Sequence, residues 1–312
     1  MPVITLFTPA DLDNEAKPAD IAAFDLQFLA QGDSWFSLGA LPPMATSNLF
    51  DGMSTAIAAC AVNCAKPGAE LRVMASTTTN TVFLQLLNGR KARRWAGLLL
   101  SAGGNDLIAA AQCGPANDAS LRLLAKADEW TNAPGGERYL SNAGWVTFST
   151  HLEAVFRQLI AARDAGINRG MPVVLHTYDI TVPRPAGAGL GTGPWLQPAM
   201  DAFGIPMDDR ASVARALLAR LSVLLDHLAA TTPDGSVHVV HTQGLLMPAE
   251  PTDRGPTSDW ENEIHPSATG YRKLSTAWRP VLDAVFGDTV TVAAADAPAP
   301  APGPARPTPG DL

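Results

Sequence analysis

Short, uninterrupted apolar runs alternate along this chain with segments of helical period, and that alternation restricts the fold more than any other feature. Residues 24–30 read as a strand that stops at Gly32. Residues 95–100, 172–176 and 237–241 read as further strands, and a short one precedes Pro67-Gly68. Between them the spacing predicts helices over residues 48–61, 146–163, 211–229 and 268–286. In the second of these, Phe148, Leu152, Val155, Phe156 and Leu159 recur on one side. Strands that are apolar on both faces and joined by helices imply a parallel sheet covered on both sides, which is a single-domain, three-layer α/β/α architecture. Ligands of such sheets bind beyond the carboxyl ends of the strands, so those ends are where chemistry is expected.

Composition removes several classes of function. The 312 residues carry 22 Lys and Arg against 30 Asp and Glu, a net charge of −8, which argues against a nucleic-acid partner. The one basic run, Arg90, Lys91, Arg93 and Arg94, reads as a solvated helix end. Three cysteines cannot close a disulfide framework. Cys60 and Cys64 have no histidines near them in sequence, so no metal is expected and buried reduced thiols are. No apolar run reaches the roughly 18 residues of a membrane-spanning helix. Residues 1–23 form an acidic lead-in without the basic flank and apolar core of a secretory signal. A cytoplasmic protein is the expectation, with signal-less export left open. The folded domain is expected over residues 24–288, followed by an Ala/Pro-rich, extended tail over 289–312. Oligomeric state is not readable.

Four strand-end segments hold the unusual residues. Gln31-Gly32-Asp33-Ser34-Trp35 ends the first strand, where glycine permits a sharp turn and a hydroxyl meets the mouth of the sheet. Asn63 to Pro67-Gly68 offers a backbone N–H unobstructed by a Cβ. Gly103-Gly104-Asn105-Asp106 offers a side-chain amide. Asp259-Trp260-Glu261-Asn262-Glu263-Ile264-His265-Pro266 holds a histidine in a loop that opens the last helix. Each has an ordinary structural reading as a turn, a helix cap or a satisfied histidine. Residues 181–204, rich in Gly and Pro around Trp195, form a long loop that reads equally as a pocket wall or a surface excursion. His176, beside Tyr178 and Asp179, reads as structural before pocket-lining, and Trp35 and Trp195 are further pocket candidates.

Taken in order, these segments resemble the GDSL or SGNH hydrolase superfamily over residues 25–286. Its four motif residues correspond to Ser34, Gly68, Asn105 and His265. The resemblance implies a flavodoxin-like α/β/α fold and a serine esterase or lipase that needs no cofactor or metal. Ser34 would be the nucleophile and His265 the base, with Ser34, Gly68 and Asn105 as the oxyanion hole. Substrates would be small-molecule, lipid or sugar esters, including O-acetyl groups, or thioesters. A non-catalytic binding module that keeps the fold is the alternative. The Gly-x-Ser-x-Gly elbow of the classical α/β-hydrolases is absent. Two departures stand out. Trp35 replaces the leucine of the family name, and Asn262 stands three residues before His265, where the family has aspartate. Candidates for orienting His265 are Asn262 or a backbone carbonyl first, then Asp259; Glu261 would serve if the loop bends suitably.

Overall fold

A computed structural model describes residues 2–17, 19–37, 47–189 and 191–295; the Ala/Pro-rich segment lies outside the described residues from residue 296 onward. Six strands form one sheet: β1 (Thr5–Phe7), β2 (Leu26–Gly32), β3 (Ala59–Asn63), β4 (Gly97–Ser101), β5 (Val173–His176) and β6 (Val237–Val240). Their order is β1-β3-β2-β4-β5-β6, and every neighbouring pair is parallel. The helices described are α1 (Pro9–Leu12), α2 (Ser34–Ser37), α3 (Leu71–Met74), α4 (Thr81–Leu87) and α5 (Gly104–Ala111), then α6 (Asn142–Asp164), α7 (Leu196–Ala202), α8 (Met207–Thr231), α9 (Ala268–Thr276) and α10 (Trp278–Ala295).

The result is a single-domain, three-layer α/β/α fold. β4 is buried at every residue, as a strand covered on both faces must be. Helices α6 and α8 pack together on one face. On the other, Phe286 of α10 meets Phe28 of β2 edge to face, with ring centroids 5.0 Å apart. The chain leaves β2 for β3 on one side and returns to β4 on the other. Strand order therefore reverses at β2, and the connections after β2, β3 and β4 separate to leave a crevice at their carboxyl ends.

Three local expectations are corrected. Residues 48–61 are not a helix: they hold a 3₁₀ turn at Leu49–Asp51 and then enter β3. A short apolar run fits a buried helix and a buried strand equally, and here pairing with β1 on one side and β2 on the other makes it a strand. Residues 1–23 are not all outside the sheet, because Thr5–Phe7 is its edge strand and Ile4 is buried. Three residues are too few to reveal a period. The helix expected over 268–286 is two helices parted at Ala277. Pro280 lacks the N–H that a continuous helix would direct to Thr276. The second of them continues to Ala295, past the expected domain end.

Gly32 has a different reason from the one expected. It is not among the positive-φ glycines. It lies opposite Ser101 in the β2–β4 register, and a Cβ there would stand 2.8 Å from Ser101 Cβ and 2.9 Å from its carbonyl oxygen. Close approach of two central strands, not a turn, requires the glycine. Gly32→Ala is expected to cost about 1–3 kcal/mol through overpacking, read as a lower urea midpoint. An unchanged midpoint would contradict this packing.

Candidate active site

Ser34 is the first residue of α2, directly beyond β2. The Asp33 carboxylate accepts the Trp35 N–H at 2.9 Å and so fixes the turn that carries the serine. The Trp35 indole N–H reaches the Ile264 carbonyl at 3.3 Å and ties this turn to the histidine loop. Gly68, beyond β3, has φ +72°, which favours glycine, and a Cβ there would meet nothing within 4 Å. Asn105 stands in the first turn of α5, beyond β4, and one N–H of its side chain donates to the Ala69 carbonyl at 3.1 Å. An amide nitrogen carries two hydrogens, so a second remains for a ligand.

His265 Nε2 lies 2.9 Å from Ser34 Oγ, and His265 Nδ1 lies 3.0 Å from Asn262 Oδ1. The same Oδ1 accepts the backbone N–H groups of Ile264 at 3.1 Å and His265 at 2.9 Å. Two N–H donors identify this atom as the oxygen of the amide. Nδ1 must then carry the ring proton and donate it, which leaves the Nε2 lone pair facing the serine hydroxyl. Burial pushes the imidazole pKa down to about 4, so the ring is neutral at pH 7. Asp259, the second candidate orienter, is elsewhere. Fully buried, it accepts the Met247 N–H at 2.8 Å and pairs with Lys273 Nζ at 2.6 Å.

The histidine loop is held by its carbonyls. Asn262 O accepts Arg184 Nη2 at 2.9 Å, Glu263 O accepts the Thr181 hydroxyl, and Ile264 O accepts Trp35. Glu263 itself is buried, and its carboxylate accepts four backbone N–H groups. Oε1 takes those of Arg184 at 3.2 Å and Gln197 at 2.7 Å, and Oε2 takes those of Leu196 at 2.8 Å and Trp195. The long loop over residues 181–204 is therefore strapped to the histidine loop and ends in α7. Its Trp195 ring stands edge-on to the His265 ring, with centroids 5.3 Å apart. Nothing in the local sequence announces Glu263 in this role, because all its donors lie more than sixty residues away.

Ser34, Gly68, Asn105, Asn262, His265 and Trp195 all line one cavity of about 400 Å³. Trp35 and His176 do not, although Trp35 lines a smaller cavity that also meets Ser34. Trp35 is buried beneath the serine turn, stacked on His176 at 5.5 Å. His176 joins a buried polar chain: its Nε2 lies 2.9 Å from Ser101 Oγ, and its Nδ1 lies 2.7 Å from the Thr177 carbonyl. Ser101 Oγ is also 2.8 Å from Asp33 Oδ1, while Tyr178 donates to Asp33 Oδ2. With Nδ1 donating to a carbonyl, one serine hydrogen faces two acceptors, Asp33 and His176. Burial raises the Asp33 carboxyl to about 6 and lowers the His176 ring to about 4.

Cys60 and Cys64 are buried free thiols, pushed up to about 11 and 12 by burial. Among the described residues no group of three or more His, Cys, Asp or Glu side chains is placed to hold a metal ion. No described helix is long and apolar enough to cross a membrane.

No protein-family model matches the chain, and no curated relative matches it. Solved structures with a similar arrangement include an extracellular lipase from Streptomyces rimosus, at 16% identity and a TM-score of 0.44, covering 83% of this chain and 99% of that one. Another is an acetylxylan esterase from Geobacillus stearothermophilus, at 14% identity and 0.43, covering 84% and 94%. Identities this low leave the site to be read from its own geometry.

The buried His265 ring is expected to titrate near pH 4 and to hold its proton on Nδ1 at pH 7, as read by ¹⁵N NMR of the imidazole. Its folded pKa lies below the unfolded value of about 6.5. The stability linked to it is therefore complete above that value and lost as pH falls toward 4. A ring titrating at or above 6.5, or protonated on Nε2 at pH 7, would contradict the assigned hydrogen bonds.

Proposed function

We propose that the protein is a serine ester hydrolase with Ser34 as nucleophile and His265 as general base. The observation that carries this reading is the 2.9 Å contact between Ser34 Oγ and a His265 nitrogen whose lone pair is free because Asn262 holds the other one protonated. The order of the four motif segments supports it, as does their convergence at the reversal point of the sheet. Three potential donors, the Ser34 and Gly68 amides and the Asn105 side chain, belong to residues that line the cavity beside the hydroxyl.

The reaction follows from these groups. Ser34 Oγ attacks the acyl carbon while its proton passes to His265 Nε2. The carbonyl π pair moves onto oxygen, and the oxyanion is met by the donors at Ser34, Gly68 and Asn105. Collapse breaks the bond to the alkoxy oxygen, which takes the proton from Nε2 and leaves as alcohol. Water then attacks the Ser34 acyl ester and gives a proton to Nε2. A second collapse releases the carboxylic acid and returns the proton to Ser34. Ester and water thus become acid and alcohol.

Asn262 gives this centre an acceptor without a charge. It fixes the tautomer, as the aspartate of a triad does, but offers the imidazolium no counter-ion. The expected consequence is a base that stays deprotonated, and usable, at unusually low pH. With p-nitrophenyl acetate, kcat/KM should hold down toward pH 4 to 5. Ser34→Ala should lower it by roughly 10³-fold or more. Equal turnover by wild type and Ser34→Ala would refute the assignment. Asn262→Asp places a negative charge against Nδ1 and should raise the histidine pKa, moving the acid limb of the profile to higher pH. An unmoved limb would show that His265 is not the group being titrated.

A further inference from the structure

A second, smaller cavity also meets Ser34. It has a volume of about 40 Å³ and is walled by Leu107, Ile108, Leu196, Ala214, Leu217 and Leu218. It shares Ser34, Asn105 and Ile264 with the larger cavity, so the serine stands where the two meet. The carboxylates on its rim are already engaged. Asp33 accepts Trp35, Ser101 and Tyr178, and Asp179 accepts the N–H groups of Ile180, Gly244, Leu245 and Leu246 at 2.5–3.0 Å. The space that remains is apolar.

Proton bookkeeping assigns the two cavities to the two halves of an ester. The leaving alkoxy oxygen must collect its proton from His265 Nε2 and so must sit beside that ring. His265 lines only the 400 Å³ cavity. The acyl substituent, on the opposite side of the reacting carbon, is directed away from His265 and into the 40 Å³ slot. That volume holds roughly three water-sized groups, which corresponds to an acyl chain of about two to four carbons. The larger cavity falls within the usual range of about 300–1,000 Å³ for small-molecule sites.

We infer that the enzyme cleaves esters of a short acyl group with a bulky alcohol, and that the Leu107–Leu218 slot sets the acyl length. This rests on the hydrolase reading above. The slot is a built feature of the fold. Leu196 N–H is bound by Glu263 Oε2 at 2.8 Å, and the same carboxylate fixes Trp195 on the wall of the larger cavity. One buried side chain therefore sets both widths. Other walls come from α5 and α8, whose Leu107, Leu217 and Leu218 are part of the main core, and from the Trp35 and Tyr178 rings.

The test is a series of p-nitrophenyl esters from acetate to octanoate, run with wild type, Leu217→Ala and Ile108→Ala. In the wild type, kcat/KM for hexanoate and octanoate is expected to fall at least tenfold below acetate and propanoate, since one misfitted methylene in an apolar pocket changes discrimination about 10-fold or more. Widening the slot should raise the hexanoate-to-acetate ratio about tenfold in either variant. Ile108 is only partly buried, so its truncation keeps the test open if Leu217→Ala does not fold. A wild type that hydrolyses octanoate as well as acetate, in a Ser34-dependent way, would overturn the acyl slot and leave the hydrolase reading standing. So would ratios unmoved in both folded variants. Absence of Ser34-dependent hydrolysis across the whole series would remove the hydrolase reading and this inference together.

Discussion

Asn262 Oδ1 gathers three N–H groups, two from the backbone of its own loop and one from the His265 ring. That convergence decides the tautomer, the ring orientation and the shape of the loop at once. Each neutral hydrogen bond contributes about 1 kcal/mol net, which is modest. The larger effect is that a buried imidazole without an acceptor at Nδ1 would be free to present a proton to Ser34 rather than a lone pair. An aspartate at this position would add charge stabilisation to the imidazolium, but at rest it would be a buried carboxylate beside a neutral ring. Desolvation of such a group costs several kcal/mol unless it is fully paired. Asparagine avoids that cost and accepts a weaker base in exchange.

The rest of the structure keeps this loop where the serine turn can meet it. Arg184, Thr181 and Trp35 take three successive carbonyls of the loop, at Asn262, Glu263 and Ile264. The Glu263 side chain reverses the direction of the tie and captures four amides of the Gly/Pro-rich segment. Serine, histidine and pocket wall are thereby joined by polar bonds formed away from solvent, where each lost partner leaves an unsatisfied group. The same logic applies beneath the serine. The Asp33–Ser101–His176 chain and the Gly32–Ser101 contact bind β2 to β4 at the point from which Ser34 departs.

Much of this was legible in the chain, and the limits are physical. The parallel sheet followed from strands apolar on both faces, and the strand-end rule pointed to Ser34, Gly68, Asn105 and His265, whose side chains or backbone now line one cavity. The preference for Asn262 over Asp259 as the partner of Nδ1 agrees with the contacts, because a spacing of three brings the side chain back onto the ring. The first part of β3, Ala59 to Ala61, reads as helix because Ala56 to Val62 has no period to distinguish the two, while its end reads as the short strand before Pro67-Gly68. β1 was missed because three residues carry no pattern. The role of Glu263 could not be read locally, since a carboxylate that binds distant amides looks in sequence like any surface glutamate. Of the pocket candidates offered by strand ends, Trp35 lines the smaller cavity beside Ser34, whereas His176 is buried below the site. A strand end fixes where a residue lies along the sheet, not which way its side chain turns.

The proposed chemistry depends on Ser34 being a nucleophile activated by His265. The direct measurement is covalent labelling with a small aryl phosphonofluoridate, followed by intact-mass analysis and peptide mapping. One adduct per chain is predicted, on the peptide that carries Ser34, and it should be lost in Ser34→Ala and strongly slowed in His265→Ala. No adduct, or an adduct on another residue that persists in Ser34→Ala, would contradict the account.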